Sequence, residues 1–263
     1  MAYSDLHIKT LLLDIEGTTT PIDFVYKTLF PYARTHMYEF IVSDLSGGQL
    51  SDDLQGVIRE HAADVAAGHK PPPLALPPIV PAPIVPPPIV DDPQRSAKFL
   101  ADYLHWLMDQ DRKSPPLKSI QGKIWEAGYR RGKLKGEVFP DVPGAFERWA
   151  SQRREICIYS SGSVLAQKLL FANTHSGDLT KHINAYFDTN VGPKREAASY
   201  SRIAEDLKRA PHEILFLSDT VAELAAANHA GVAAILCSRP GNQPQSEAHE
   251  YAIVETFDGV FPT

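Results

Sequence analysis

The sequence predicts an α/β protein in which a doubly wound parallel sheet carries a helical insertion after its first strand. Three observations lead there. Thr10–Leu13 is a short apolar run that ends abruptly in Asp14-Ile15-Glu16-Gly17. After residue 136, strand-like and helix-like segments alternate, the pattern of parallel strands joined by crossover helices. Between these parts, residues 23–131 carry almost only helical periodicity.

The first strand belongs to the same sheet as the later ones, so the helical block interrupts a single core. Residues 1–22 and 132–263 are expected to form that core, and residues 23–131 a helical cap. In the insertion, Leu54, Val57, Ile58, His61 and Val65 make one apolar stripe, with Ser51 placed to cap its helix. Phe99, Leu100, Tyr103, Leu104, Leu107 and Met108 make a second. Leu117, Ile120, Ile124 and Trp125 make a third, after Pro115-Pro116. All three read as helix-bundle core. Half of the chain's 22 prolines fall in Pro71–Pro93, which excludes a regular helix there, and with it a membrane-spanning one, although residues 71–90 are uncharged. An extended polyproline II connector is the simple reading; a ligand for an SH3-like or WW-like groove is the less favoured one.

In the second half, strands are expected at Glu155–Tyr159, Ala185–Phe187, Glu213–Leu217 and Val232–Leu236. Helices are expected near 143–152, 163–172, 195–209 and 221–230, which completes a Rossmann-like sheet.

Composition narrows the function classes. A net charge of −6 with 43% hydrophobic residues fits one large domain or two modest ones, with no basic face to track nucleic acid. The only dense basic run, Arg130, Arg131, Lys133 and Lys135, reads as a solvated helix end. Cys157 and Cys237 lie inside apolar runs and read as small buried hydrophobes. The N-terminus shows no basic region followed by a long apolar stretch. The expectation is a cytoplasmic monomer without membrane or nucleic-acid partners.

Chemistry concentrates at four strand tips. Asp14 and Glu16, one residue apart beyond the first strand, point the same way because side chains alternate with period two. One can attack or bind metal while the other shuttles a proton. Ser160-Ser161-Gly162-Ser163 ends the second strand and opens a helix, a turn suited to phosphate oxygens. Lys194 stands before the helix that follows the third strand, where it can neutralise a phosphate and the carboxylates. Asp219 ends the fourth and can join Asp14 in an oxygen-rich site that suits Mg²⁺. Glu223, one helical turn on, reads equally as support for Lys194 or the metal and as an exposed helix acid.

This order of acid pair, serine pair, lysine and acid resembles the haloacid dehalogenase superfamily of phosphotransferases. Within it, Asp14-Ile-Glu-Gly-Thr-Thr-Thr-Pro, Leu29-Phe-Pro-Tyr, Asp111-Arg-Lys, Gln121-Gly…Trp125 and Tyr159-Ser-Ser-Gly-Ser-Val resemble the enolase-phosphatase E1 family. Gln167-Lys-Leu-Leu-Phe, Phe187-Asp-Thr, Phe216-Leu-Ser-Asp and Arg239-Pro-Gly-Asn extend the resemblance over almost the whole chain. Glu16 stands where the superfamily usually has aspartate, as in that family, and the proline-rich block departs from the usual cap.

The resemblance implies an acireductone synthase of methionine salvage. Such an enzyme enolises a 2,3-diketo-5-methylthiopentyl 1-phosphate and then removes its phosphate. It implies catalytic roles for Asp14, Glu16 and Lys194 and phosphate contacts from Ser160, Ser161 and Lys194. Mg²⁺ would be held by Asp14, Asp219 and the backbone at Glu16, under a cap that closes over the substrate. Two rivals are another Mg²⁺-dependent small-molecule phosphatase of the same superfamily and a polyproline-presenting adaptor on an inert core.

Overall fold

The computed structural model describes residue 5 and residues 7–44, 50–75, 92–244 and 250–262. The chain divides into two compact units, one made of Met1–Thr28 with Tyr129–Thr263, the other of Leu29–Gly128.

The first unit is built on a six-stranded parallel sheet. Its strands are β1 (Thr10–Leu13), β2 (Glu155–Tyr159), β3 (Ala185–Phe187), β4 (Ile214–Ser218), β5 (Ala233–Cys237) and β6 (Ile253–Val254), in the spatial order β3-β2-β1-β4-β5-β6. β1 pairs with β2 on one side and β4 on the other, with Leu12 opposite both Cys157 and Phe216. β1 and β4 are buried along their whole length, which is why they read as unbroken apolar runs rather than alternating ones. Leu12, Cys157, Tyr159 and Phe216 form one core with Tyr200, Ile203 and Leu224. By strand alternation, Ile156 and Ile158 face the opposite side. The aromatic residues Phe146, Trp149, Phe171 and Phe257 form a second buried group.

Helices in the chain's own order are α1 (Phe30–Asp44), α2 (Ser51–Ala66), α3 (Pro93–Asp109), α4 (Pro115–Arg130), α5 (Val142–Ser151), α6 (Val164–Ala172), α7 (Ala197–Leu207) and α8 (Val221–His229). Ser163 caps α6 by accepting from the Ala166 amide at 3.3 Å. β2 and β3 lie where the apolar runs placed them, whereas β4 and β5 each sit one residue later. The shift at β4 arises because Pro211–Glu213 closes a 3₁₀ turn. The two-residue β6, half of it exposed, has no sequence signature.

The second unit is helical. α1 and α3 are linked by Arg34 to Asp109 at 2.7 Å, and Trp125 of α4 donates to the Leu29 carbonyl at 2.8 Å. A buried polar network joins α2, α3 and the segment before α4. In it, the Tyr103 hydroxyl donates to Asp64 at 2.7 Å, Arg112 pairs with Asp64 at 2.9 Å, and Ser114 donates to Glu60 at 2.5 Å. Three expectations need correction here. Ser51 is the first helical residue of α2 and Leu50 occupies the cap position. Val65 is exposed rather than core, and His61 is only half-buried, with its ring nitrogen 2.9 Å from the Pro72 carbonyl. The apolar stripe of α2 stops at Ile58 because the helix uses Asp64 for its buried network. The proline-rich connector ends before Pro93, which is the first residue of α3. Asp92 caps it by accepting from the Gln94 and Arg95 amides. Residues 71–75 have no regular structure, and 76–91 lie outside the described residues.

Among the described residues no helix is long and apolar enough to cross a membrane. Arg131, Lys133 and Lys135 are exposed just beyond α4, as expected of a solvated helix end. Cys157 and Cys237 are buried free thiols, each pushed up to about 12, chiefly by burial.

Candidate active site

The site forms where β1, β2 and β4 end side by side, beyond the carboxyl edge of the sheet. Asp14 is buried at the tip of β1. Its Oδ1 accepts from its neighbour's amide, Ile15 N, at 2.7 Å and lies 2.7 Å from Lys194 Nζ. Its Oδ2 lies 3.1 Å from the Ser218 hydroxyl. Lys194 Nζ also reaches Glu223 Oε2 at 2.6 Å, and Ser218 lies 3.0 Å from that same oxygen. Asp14, Lys194, Glu223 and Ser218 therefore close a ring of polar contacts, and Glu223 is a half-buried partner of Lys194 rather than an exposed helix acid.

Two tyrosines set the lysine in place. Tyr200 donates to the Lys194 carbonyl and Tyr159 to the Gly192 carbonyl, both at 2.8 Å. Gly192 has φ +139°, and any side chain there would collide with Ser199 and Arg202. The Lys194 ammonium lies 5.8 Å from the Tyr159 ring centre and 5.9 Å from that of Phe216.

The turn after β1 is wound tightly. Thr18, Thr19 and Thr20 amides all donate to the Ile15 carbonyl, and the Gly17 amide donates to the Thr20 carbonyl at 2.8 Å. The Thr19 hydroxyl donates to the Asp14 carbonyl. The carbonyls of residues 17, 18 and 19 accept from Asn242, Arg239 and Phe139. Among the described residues, nothing donates to the Glu16 carbonyl. Gly17 has φ +71°, and a Cβ there would lie 2.8 Å from Asp219 Cγ, so the absent side chain makes room for that carboxylate.

Electrostatics in the site follow from too many acids around one base. Burial, and next to it the Asp14 carboxylate, raises the Glu16 carboxyl above its ordinary value, against the pull of Lys194. Asp219 is pushed up to about 6 by burial and by Asp14. Glu223 is pushed up to about 7 by the same two causes, with Lys194 opposing. Burial disfavours the Lys194 ammonium, but Asp14 and Glu223 outweigh it and hold the lysine protonated.

The donor set fits a hard divalent cation. Burial and the Asp14 charge raise the charging cost of Asp219, and the Glu16 carbonyl, which has no donor among the described residues, is the kind of oxygen such an ion takes. Among the described residues no three His, Cys, Asp or Glu side chains make a metal cluster. Ser160 is buried, and its hydroxyl lies 3.3 Å from Glu16 Oε2 while accepting from the Gly162 amide. Ser161 is exposed beside it. Sequence reasoning had no role for Ser218, Tyr200, Arg239 or Asn242. Ser218 lies one residue from a chosen acid and Tyr200 reaches a carbonyl six residues back, but Arg239 and Asn242 act on backbone groups more than two hundred residues away, which no local pattern reveals.

Residues 8–231 match the model of the haloacid dehalogenase-like hydrolases. The enolase-phosphatase E1 of Synechococcus elongatus is 46% identical over 251 residues, spanning 95% of this chain and 97% of that protein. That of Drosophila mojavensis is 40% identical over 252 residues, spanning 96% and 94%. Among solved structures, the UTR4 protein of Saccharomyces cerevisiae superposes with a TM-score of 0.73 at 33% identity, covering 95% of this chain and 99% of that one. With near-complete coverage on both sides, this chain belongs to the enolase-phosphatase E1 family of haloacid dehalogenase-like hydrolases.

Proposed function

We propose that the protein converts 2,3-diketo-5-methylthiopentyl 1-phosphate into an acireductone and inorganic phosphate, with Asp14 as the nucleophile. The observation that carries the phosphatase half is the pair of acids beyond β1. One lies 2.7 Å from the Lys194 ammonium, and the other is raised by burial and by its neighbour. A carboxylate paired with a fixed ammonium is held in place as a nucleophile. A carboxyl whose protonated form is favoured is a general acid.

In the first step an Asp14 oxygen attacks phosphorus in line with the ester oxygen. The P–O bond to the substrate breaks, and Glu16 gives its proton to the departing oxygen. In the second step Glu16, now a carboxylate, takes a proton from water, which attacks the aspartyl-phosphate and frees Asp14 and phosphate. Lys194 supplies a fixed positive charge where the phosphoryl oxygens gather charge, and the Ser160 hydroxyl with donors near Ser161 holds those oxygens. Mg²⁺ is the proposed ion for Asp14, Asp219 and the Glu16 carbonyl, where it would offset carboxylate–phosphate repulsion and polarise a carbonyl. Family membership, and not the strand tips, carries the enolisation half.

The direct test mixes the purified protein and Mg²⁺ with the diketone phosphate and follows enol absorbance and released phosphate in one time course. Both signals, the enol first, are expected. Phosphate release without any enolic product would reduce the protein to a general small-molecule phosphatase.

A further inference from the structure

The turn that bears Glu16 is gripped by the segment after β5, a part of the chain to which the proposed chemistry gives no role. Asn242 Nδ2 donates to the Gly17 carbonyl at 2.9 Å and to the Cys237 carbonyl at 3.2 Å. Two accepting carbonyls on one nitrogen fix which way the carboxamide faces. Its Oδ1 is buried without a partner and would stand 2.9 Å from a Cβ on Gly17, on the spot the Asp219 carboxylate also crowds. Next to it, Arg239 donates from Nε to the Thr18 carbonyl at 3.0 Å. That guanidinium is held by Asp141 at 2.9 Å and the Glu255 carbonyl at 2.8 Å, between the Phe139 and Phe257 rings.

The consequence lies in one peptide plane. The Glu16 carbonyl and the Gly17 amide belong to the same planar trans peptide and point in opposite directions. The Gly17 amide is tied to Thr20, and Asn242 ties the Gly17 carbonyl, so both peptide planes around a residue at φ +71° are held. Glycine has no side chain to set that conformation by itself. The Glu16 carbonyl, which has no donor among the described residues, is thus held by the turn together with an external donor on the next peptide.

We propose that Asn242 is a positioning residue of the cation site, holding the Glu16 carbonyl available and Gly17 against Asp219. The inference rests on the reading of Asp14, Asp219 and the Glu16 carbonyl as the oxygens that take the ion. Removing the carboxamide takes the donor from the Gly17 carbonyl and leaves the peptides on either side of Gly17 held, among the described residues, only by the Gly17 amide's bond to Thr20 and the Thr18 amide's bond to Ile15. Groups that hold metal ligands in place cost about 10–100-fold in affinity when removed.

Mn²⁺ titration of substrate-free protein, by calorimetry and by its electron paramagnetic resonance signal, tests this without relying on turnover. Asn242→Ala should bind Mn²⁺ about 10–100-fold more weakly than the parent protein, with a changed resonance line shape and a cooperative unfolding transition retained. Asp219→Asn should lose binding outright. The proposal is overturned if Asn242→Ala binds Mn²⁺ within about twofold of the parent while Asp219→Asn does not bind. If Asp219→Asn binds as the parent does, the reading of the cation site itself falls. Should Asn242→Ala not fold, Asn242→Ser, which keeps a small polar group, is judged by the same criteria.

Discussion

The protein holds two buried polar networks, one at the strand tips and one among the helices, and they handle charge differently. In the helical unit, Asp64 is met by Arg112 at 2.9 Å and by the Tyr103 hydroxyl at 2.7 Å, and Glu60 accepts from Ser114. Each acid there has a hydroxyl donor of its own and Arg112 beside it, so charge and hydrogen bonds are met within the network. At the strand tips Asp14, Glu16, Asp219 and Glu223 surround the single ammonium of Lys194, and burial together with the Asp14 charge raises the carboxyls of the other three against its pull. Charge left uncompensated in a buried place weakens a fold unless something binds there. The first network is what a structure needs; the second is arranged as the proposed binding of a cation and a phosphate would require.

Substitutions should separate the two. The largest effect is expected from Asp14→Asn. An amide is a very poor nucleophile toward phosphorus, so phosphate release should fall at least ~1000-fold. With Mg²⁺ saturating, the variant should still enolise the diketone phosphate and stop at the phosphorylated enol, as enol absorbance without phosphate release would show. Absence of both signals in a variant that still binds substrate would give Asp14 a part in both steps. Lys194→Met comes next. It strips Asp14 and Glu223 of their shared ammonium, and phosphate release should drop at least ~100-fold. Breaking a buried pair on one side should cost ~3–5 kcal/mol in denaturant unfolding at neutral pH. Tyr103→Phe, in the other network, should cost only about 1–3 kcal/mol by the same measurement, because Asp64 loses a donor but keeps Arg112. Its phosphate release should stay within about twofold of the parent. A thousandfold loss there would erase the distinction between the two networks.

The same contrast explains what could be read from the sequence. β1, β2 and β3 were legible to the residue because buried parallel strands are continuous apolar runs. The placement of Asp14, Ser160, Lys194 and Asp219 beyond the carboxyl edge of the sheet was legible because they follow those runs at strand ends and in the loops after them. The stripe of α2 misled at Val65, since an apolar residue at helical spacing says nothing about whether a neighbour covers it. Arg239 and Asn242 were visible only as part of a family motif. Their contacts reach backbone carbonyls of residues 18 and 17 more than two hundred positions away, and a carbonyl carries no sequence identity.

The most direct test of the charge excess is unfolding temperature against pH, with and without saturating Mg²⁺. Asp219 and Glu223 have folded pKa values raised to about 6 and about 7, above their ordinary values near 4. A raised carboxyl binds its proton more tightly in the folded state. Its stabilising share is therefore complete below about pH 4 and lost as pH rises through about 7. Without the ion, the parent protein should lose stability across that window relative to Asp219→Asn, which lacks one of the two acids. With Mg²⁺ the loss should shrink or vanish, because the ion favours the ionised carboxylates and its stabilisation grows as they lose their protons. A parent protein that gains stability relative to Asp219→Asn between pH 4 and 7, or whose profile Mg²⁺ leaves unchanged, would contradict the account.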